Sequence, residues 1–566
     1  MNLLQVGEVA NSATTLGSLS RSKVESLVND FSVAETRNVG REGKVVADFY
    51  GVSSSSSSSS SPLTMEKRRE AKRKKFHEAL LNLYHPHLLL ADGNYARKES
   101  SSSSESDCGS KTLTRAQRKI ETSMGRRSII TSLPGFDGPL PISLETGYVE
   151  VDEENGAQLF YYFIESERNA QEDPLMLWLT GGPGCSAFSG LVYEIGPLSF
   201  DVEGYTQGLP TLLYNPHSWT KVSSIIFLDS PVGTGFSYSV LEEGYNSSDT
   251  KAVDQILIFL KKWFVDHPEF KSNPLYIGGD SYSGLIIPAV TLEIANSKKL
   301  SEETLLNLKG YLAGNPVTDK EFDNGAKVPF AHGMALISDE LYESATESCG
   351  GKYTAPRNAQ CANYLQAVDE CTKGINVGHI LEPKCEFASP HPFTVSAERR
   401  KMLEEQFEEL SLLKSSIPKY CRSYGYLLSK YWADNDTVRE ALGIRKGTVP
   451  SWKRCNYDLP YTKDIPSAVV YHLKVTTKGY RALVYSGDHD FMIPFLGTQA
   501  WIRSLNFSIV DEWRPWSVDG QVAGFTRSYS NNLTFATVKG AGHTAPEYKR
   551  KESLSMLERW LSGVPI

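Results

Sequence analysis

Ser281 stands in Gly279-Asp280-Ser281-Tyr282-Ser283-Gly284, directly behind the apolar run Leu275-Tyr276-Ile277. A serine hydroxyl becomes a nucleophile when a base takes its proton and a third group orients that base. Small residues around the serine suit a sharp strand-to-helix turn that exposes the hydroxyl. The strict pattern carries glycine two residues to either side, whereas here Ser283 takes the second glycine's place and Gly284 follows. By itself this segment reads equally well as an ordinary Gly/Ser turn. Two later residues change the balance. Asp488 follows the run Leu483-Val484-Tyr485, and His543 follows Phe535-Ala536-Thr537-Val538 and the turn Gly540-Ala541-Gly542. Serine, then aspartate, then histidine, each in a loop behind a strand, is an order known for triads assembled at one rim of a sheet. The expected triad is Ser281 as nucleophile, His543 as base and Asp488 as orienting acid, a chemistry that needs no metal and no cofactor.

A third element is Trp178-Leu179-Thr180-Gly181-Gly182-Pro183-Gly184-Cys185-Ser186. Exposed backbone N–H groups in such a loop can hold an oxyanion, and glycine lets the substrate come close. A phosphate-cradling loop is excluded because no Gly-Lys-Ser/Thr follows.

The elements that must position these residues are short and apolar. Leu175–Leu179, Ser224–Leu228, Leu275–Ile277 and Leu483–Tyr485 each end in a Gly-rich or Asp-rich loop. Continuous apolar strands are buried on both faces, as in a mostly parallel sheet. Helical patterns at Thr250–Phe264 and Leu285–Ala295 alternate with them, which predicts an α/β fold with sites beyond the carboxyl ends of the strands. Residues 317–440 break the rhythm and read as an insertion over the active-site end of the sheet. It contains a charged helical stretch, Ala397–Lys414, and a segment near 388–418 expected to be exposed or processed.

The first 125 residues differ in kind. Ser53–Ser61 is an unbroken serine run, Lys67–Lys75 a basic block, and Ser100–Ser106 is again serine-rich. Such composition buries too little apolar surface to offset chain entropy, so a low-complexity, disordered extension is expected, with Phe76–Leu90 as a candidate short helix. The basic block reads either as a nuclear address or nucleic-acid contact, or as a solvated charged segment; the latter is preferred. Met1–Ala10 does not have the basic start and apolar stretch of a secretory leader.

The full chain has 566 residues and a formal net charge of −8, which gives no general reason to bind nucleic acid or an anionic membrane. No apolar run reaches the length of a membrane span. Eight cysteines show no paired C-x-x-C spacing, so a zinc site is not expected. Five of them, Cys349, Cys361, Cys371, Cys385 and Cys421, cluster as local disulfides or as buried thiols. Four sequons, at Asn246, Asn435, Asn506 and Asn532, all fall in the folded part and favour an endomembrane history.

Taken together, these motifs resemble the plant serine carboxypeptidase-like family. The resemblance spans 126–566 and runs through Leu133–Pro141, Leu144–Tyr148, Gly181–Cys185, Leu228–Ser237, the Ser281 turn, Gly314-Asn315-Pro316 and Gly542–Tyr548. It implies an α/β-hydrolase fold with a mostly parallel sheet. It also implies an oxyanion hole from the N–H groups of Gly182 and Tyr282. The implied disulfides are Cys185–Cys455, Cys349–Cys361 and Cys385–Cys421, with Cys371 and Cys108 unpaired, and the implied location is secreted or vacuolar.

Within the family, peptidases typically read Asn-Gly-Gly-Pro-Gly and Gly-Glu-Ser-Tyr, and that Asn and Glu hold the peptide's terminal carboxylate. Here Thr180 and Asp280 stand there, beside Gly181. Asp is shorter than Glu by about 1.5 Å and Thr lacks the amide donor. Gly487-Asp488-His489-Asp490 departs from the peptidase Gly-Asp-Thr-Asp, and Glu512-Trp513-Arg514-Pro515-Trp516 resembles the plant acyltransferase branch. The resemblance therefore implies transfer from a 1-O-acylglucose to a hydroxyl acceptor, with carboxypeptidase activity as the alternative. The expected partners are a small acyl donor and acceptor, or a peptide C-terminus.

Overall fold

The computed structural model describes residues 127–297, 306–385 and 421–566. The serine runs, the basic block, Cys108 and the segments 388–418 and 397–414 lie outside the described residues.

Eleven strands form one sheet. We label them β1 (Ser128–Ile130), β2 (Leu144–Asp152), β3 (Ala157–Ile164), β4 (Leu175–Leu179), β5 (Ser224–Leu228), β6 (Leu275–Gly279), β7 (Leu308–Gly314), β8 (Arg481–Gly487), β9 (Ile509–Val518), β10 (Gln521–Tyr529) and β11 (Leu533–Val538). Their spatial order is β1-β2-β3-β5-β4-β6-β7-β8-β11-β10-β9. The central run from β5 to β11 is parallel. Antiparallel strands extend both edges. The parallel centre is the α/β sheet expected from the apolar strands, and the whole has the α/β-hydrolase arrangement that the resemblance implied.

Alternation explains why those strands had to be apolar throughout. Met176 and Trp178 enter the core on one face of β4, whereas Leu175, Leu177 and Leu179 enter the core on the other. Helices cover the second face. Asp249–Asp266 (α1) begins where Ser248 accepts from Lys251 N, and it buries Val253, Ile256, Phe259, Leu260 and Trp263. Ser283–Ser297 (α2) follows the nucleophile turn and buries Leu285, Ile287, Val290 and Leu292. Each such side chain contributes about 1.5–3 kcal/mol of burial free energy, and truncating fully buried Trp263 to Ala is expected to cost about 3–5 kcal/mol.

Between β7 and β8, in the stretch expected to be an insertion, lie helices Lys320–Gly325 (α3), Lys327–Gly333 (α4), Asp339–Cys349 (α5) and Ala359–Thr372 (α6). They close a small core of Val328, Phe330, Ile337, Ala345 and Val368, which takes in Phe491 from the loop after β8. The segment behind α6 then reaches the site with its backbone. Gly378 O accepts from His543 N at 2.7 Å, Phe491 N donates to Val377 O at 2.9 Å, and Ile380 N donates to His489 O at 3.1 Å. All three disulfides pair as the resemblance implied, and Cys371 is free and exposed. Asn246, Asn506 and Asn532 are exposed, while Asn435 is half-buried and caps a helix by accepting from Thr437 N. Among the described residues no helix is long and apolar enough to cross a membrane.

One ion pair inside this frame makes stability depend on pH. His267 donates from both ring nitrogens, to Trp263 O at 2.9 Å and to Glu145 Oε1 at 2.9 Å, and Tyr161 Oη donates to the same carboxyl oxygen of Glu145 at 2.6 Å. Burial pulls His267 down, but the hydrogen bond and charge of Glu145 outweigh it and raise the imidazole above its ordinary value. Burial likewise pushes Glu145 up, and its bonds from His267 and Tyr161 bring it below the ordinary carboxylate value. The raised histidine contributes stability below about pH 6.5 that is lost as pH rises through its folded pKa. The lowered glutamate contributes stability above about pH 4.3 that is lost as pH falls. The pair therefore stabilises most between those values. His267→Gln is expected to lower the Tm more at pH 5.5 than at pH 8; equal losses at both would show that the pair is not ionic.

Candidate active site

The nucleophile turn is strained and crowded. Ser281 has φ +55°, a left-handed value that costs a non-glycine residue on the order of 1 kcal/mol. A Cβ on Gly279 would meet Leu179 O at 2.1 Å, and one on Gly284 would meet Pro316 Cβ at 2.5 Å. Both Gly279 and Gly284 must therefore be bare, whereas position 283 need not be. Ser283, in the place of the usual glycine, is tolerated because its Oγ donates to Asp280 O at 2.6 Å and begins α2.

Ser281 Oγ lies 2.7 Å from His543 Nε2. His543 Nδ1 lies 2.8 Å from Asp490 Oδ2, and Asp490 is fully buried. Here the structure corrects the expected acid: Asp490, not Asp488, faces the imidazole. Asp488 is spent elsewhere, accepting from Gly540 N at 2.7 Å and pairing with His489 Nδ1 at 2.5 Å. The reason lies in how β8 ends. Its pairing with the β11 side continues past Gly487, through Asp488 N to Val538 O and His489 N to Ala541 O. The first aspartate therefore still runs alongside the histidine loop, and only the second, after a turn from Gly487 O, sits behind the ring. Two aspartates two residues apart leave this choice open at the level of sequence.

Burial pulls His543 down, but the charge and hydrogen bond of Asp490, with Asp280 behind them, raise it above an ordinary histidine. Asp490 is itself held at three points. Oδ2 accepts from Asn315 Nδ2 at 2.8 Å as well as from His543, and Oδ1 accepts from Met492 N at 2.8 Å.

Facing the serine is the Gly181–Cys185 loop. A Cβ on Gly181 would lie 2.6 Å from both Ser281 Cβ and Tyr282 N, so only glycine permits the approach. The N–H groups of Gly182 and Tyr282 donate to no acceptor among the described residues, which leaves them available to an oxyanion. The loop is tied down on its far side. Cys185 is bridged to Cys455, Ser186 N donates to Arg454 O at 2.7 Å, and Asn456 N donates to Gly184 O at 2.8 Å. Buried Asp229 accepts from Ser186 Oγ, Ala187 N and Phe236 N, and burial pushes its carboxyl up to about 7. Tyr282 is anchored through its ring: its Oη and that of Tyr461 both donate to Asp249 Oδ1 at 2.8 Å.

Thr180 Oγ1 is buried without a hydrogen-bond partner. Asp280 accepts from Gly181 N at 3.3 Å and is buried against Glu194, a residue sequence reasoning did not single out. Burial pushes Asp280 up to about 6, and burial together with the charge of Asp280 pushes Glu194 well above the usual carboxylate range. Glu194 ends the turn Gly190–Glu194, an otherwise uncharged, wholly buried segment. An acid in such a segment was the one available signal. Thr180, Gly181, Pro183, Tyr282 and Tyr461 line a pocket next to the nucleophile. The Glu512–Trp516 motif does not take part: it lies on edge strand β9, where Trp516 Nε1 donates to Thr537 O and Trp513 stacks on Phe525.

Comparison with known proteins identifies the chain's relatives. The family model for serine carboxypeptidase matches residues 134–563. Serine carboxypeptidase-like 7 of Arabidopsis thaliana is 50% identical over 441 residues, 78% of this chain and 94% of that protein. Serine carboxypeptidase-like 15 of the same plant is 51% identical over 441 residues, again 78% of this chain and 94% of its own. Among solved structures, Kex1(delta)p, a prohormone-processing carboxypeptidase from Saccharomyces cerevisiae, superposes with a TM-score of 0.62. It is 22% identical and is matched over 77% of this chain and 96% of its own, a likeness of fold. The chain therefore belongs to the serine carboxypeptidase family, within its plant serine carboxypeptidase-like group, and is an enzyme of that type.

Proposed function

We propose that this enzyme is an acyltransferase that moves an acyl group from a 1-O-acylglucose to a hydroxyl acceptor through an acyl-enzyme on Ser281. The observation that carries the reading is the altered carboxylate clamp. Where peptidases of the family present an amide donor and a glutamate, this chain has Thr180 and the shorter Asp280, whose carboxyl is turned toward Gly181 N and Glu194. A terminal carboxylate loses its amide donor there, while a neutral glucose ester needs none.

In the proposed reaction Ser281 Oγ gives its proton to His543 Nε2 and bonds to the ester carbonyl carbon. The developing oxyanion accepts from Gly182 and Tyr282 N–H, each donor worth about 3–4 kcal/mol. The carbon–oxygen bond to glucose breaks and glucose leaves with the proton from His543. The acceptor hydroxyl then passes its proton to His543, attacks the acyl-enzyme, and Ser281 recovers its proton as it departs. Asp490 holds the imidazole in the required tautomer and stabilises the imidazolium throughout.

One observation favours a second reading, a carboxypeptidase active in acid. The Asp280–Glu194 pair holds a proton at low pH and could donate it to a peptide carboxylate. Purified enzyme is therefore offered 1-O-acylglucoses with an alcohol acceptor, and separately an N-blocked dipeptide, at pH 5. Acyl transfer is expected with a kcat/KM at least about 100-fold above dipeptide cleavage, a difference of about 2.7 kcal/mol in transition-state binding. The double substitution Thr180→Asn with Asp280→Glu is expected to raise dipeptide cleavage. Efficient cleavage by the unaltered enzyme, with no transfer, would replace the first reading by the second. A secreted or vacuolar location accords with the sequons and the disulfides.

A further inference from the structure

Strand β7 lies between β6, which carries the nucleophile, and β8, which carries the acid. The segment at its carboxyl end, Gly314-Asn315-Pro316-Val317, is therefore within reach of both loops. Its backbone grips the nucleophile turn from two sides: Ser281 N donates to Gly314 O at 2.9 Å, and Val317 N donates to Ser281 O at 2.9 Å. Between them Asn315 adopts φ +40°, is fully buried, and donates its own N–H to Tyr485 O at 2.7 Å on β8. Its side chain spans the acid loop. Nδ2 donates to Asp490 Oδ2 at 2.8 Å, and Oδ1 accepts from Gly487 N at 3.2 Å. A carboxylate on one side and an N–H on the other leave the amide a single orientation.

We propose that Asn315 is a positioning residue of the reaction, setting the acid against the base by holding Asp490 Oδ2 in line with His543 Nδ1 from a backbone clamped to the nucleophile turn. The role rests on the reading of Ser281, His543 and Asp490 as the working triad. Residue type follows from the demands of the place. Only Gly, Asn and Asp accept left-handed backbone readily. Of these, asparagine alone offers a neutral donor to a carboxylate and an acceptor to an N–H at the same time. Without the amide, Asp490 keeps Met492 N and the imidazole but loses the bond that fixes the rotation of its carboxyl plane.

The charged groups around this point come from several elements. Asp280 faces His543 from the nucleophile turn, with Glu194 behind it. Lys327 approaches Asp490 from α4, and Tyr548 from the turn after His543. His489, paired with Asp488, lies on the acid loop itself and packs beside His379 of the insertion.

The test reads nucleophile activation directly, as the second-order rate of Ser281 labelling by a fluorophosphonate between pH 5 and pH 8. Asn315→Gly keeps the backbone and removes the donor, and its labelling is expected to fall about 10–100-fold at every pH, the scale of a small misalignment of reacting groups. Asn315→Asp is isosteric. Below the pKa of the new carboxyl pair, its proton is donated to Asp490 as the amide's was, and labelling approaches the unaltered rate. Above it, a second anion holds His543 as imidazolium, so the ratio to the unaltered rate falls as pH rises. A role in packing alone would lower the Tm without that pH-dependent ratio. Folded variants that label within twofold of the unaltered enzyme at all pH values overturn the proposal. If Asn315→Gly does not fold, the pH course of Asn315→Asp decides alone. An unaltered enzyme that resists labelling overturns instead the assignment of Ser281 on which the role rests.

Discussion

Asp490→Asn is expected to lower kcat/KM about 10⁴-fold, roughly 5.5 kcal/mol, while Asp488→Asn lowers it tenfold at most. The contrast follows from what each carboxyl touches. Asp490 Oδ2 is 2.8 Å from His543 Nδ1 and lies fully buried behind the ring. An amide there offers its N–H to Nδ1, favours the wrong tautomer and leaves Nε2 unable to accept the serine proton. Asp488 instead ties Gly540 N and His489 together at the rim, with 27% of its side chain exposed, and an asparagine can still accept from Gly540 N. The pH course supplies a second check. His543 stands above its ordinary value because the Asp490 interactions outweigh burial. With a neutral amide that support is gone, and the rising limb of kcat/KM against pH should move to lower pH. Steady-state rates of both variants from pH 4.5 to 8 test this. Equal losses in the two, or a large loss confined to Asp488→Asn, would return the acid role to Asp488.

Ser281→Ala is expected to abolish acyl transfer and hydrolysis together, with a fall on the order of 10⁶ in kcat. Alanine removes the atom that must bond to the acyl carbon, while the Gly182 and Tyr282 N–H groups remain to polarise it, so only residual water attack survives. Fold and binding should persist, because Ser281 Oγ has His543 as its bonding partner and the turn is held by backbone bonds to Gly314 and Val317. Alanine at φ +55° adds some strain, so the Tm is measured beside the rate. Retained activity in a folded variant would remove the acyl-enzyme from the mechanism, whichever substrate class is used.

These two substitutions fall on residues of different legibility. Ser281 and His543 could be read directly, since each follows an apolar run and lies in a small-residue turn. The helices behind them were also legible: Thr250–Phe264 and Leu285–Ala295 fall inside α1 and α2, which extend by a turn or less at each end. Their ends are set by Ser248 as a cap and by the nucleophile turn, features that periodicity does not register. Asp490 was in view but displaced by Asp488, because the end of β8 is decided by its pairing with the β11 side. Glu194 and Asn315 went unassigned for a related reason. Neither stands in a catalytic spacing, and each acquires its role from a partner far along the chain, Asp280 for one and Asp490 for the other.

Local pattern thus determined the sheet class and the rim at which Ser281 and His543 meet as hydrogen-bond partners. These follow from periodicity and turn sterics, which act between near neighbours and are written in consecutive residues. Only the tertiary structure decided which aspartate orients the base, that a buried pair of acids lies under the clamp, and that one asparagine joins the nucleophile turn to the acid loop. Those outcomes depend on distances of about 3 Å between residues separated by tens to hundreds of positions, where a hydrogen bond is made or missed by the turn of a single residue.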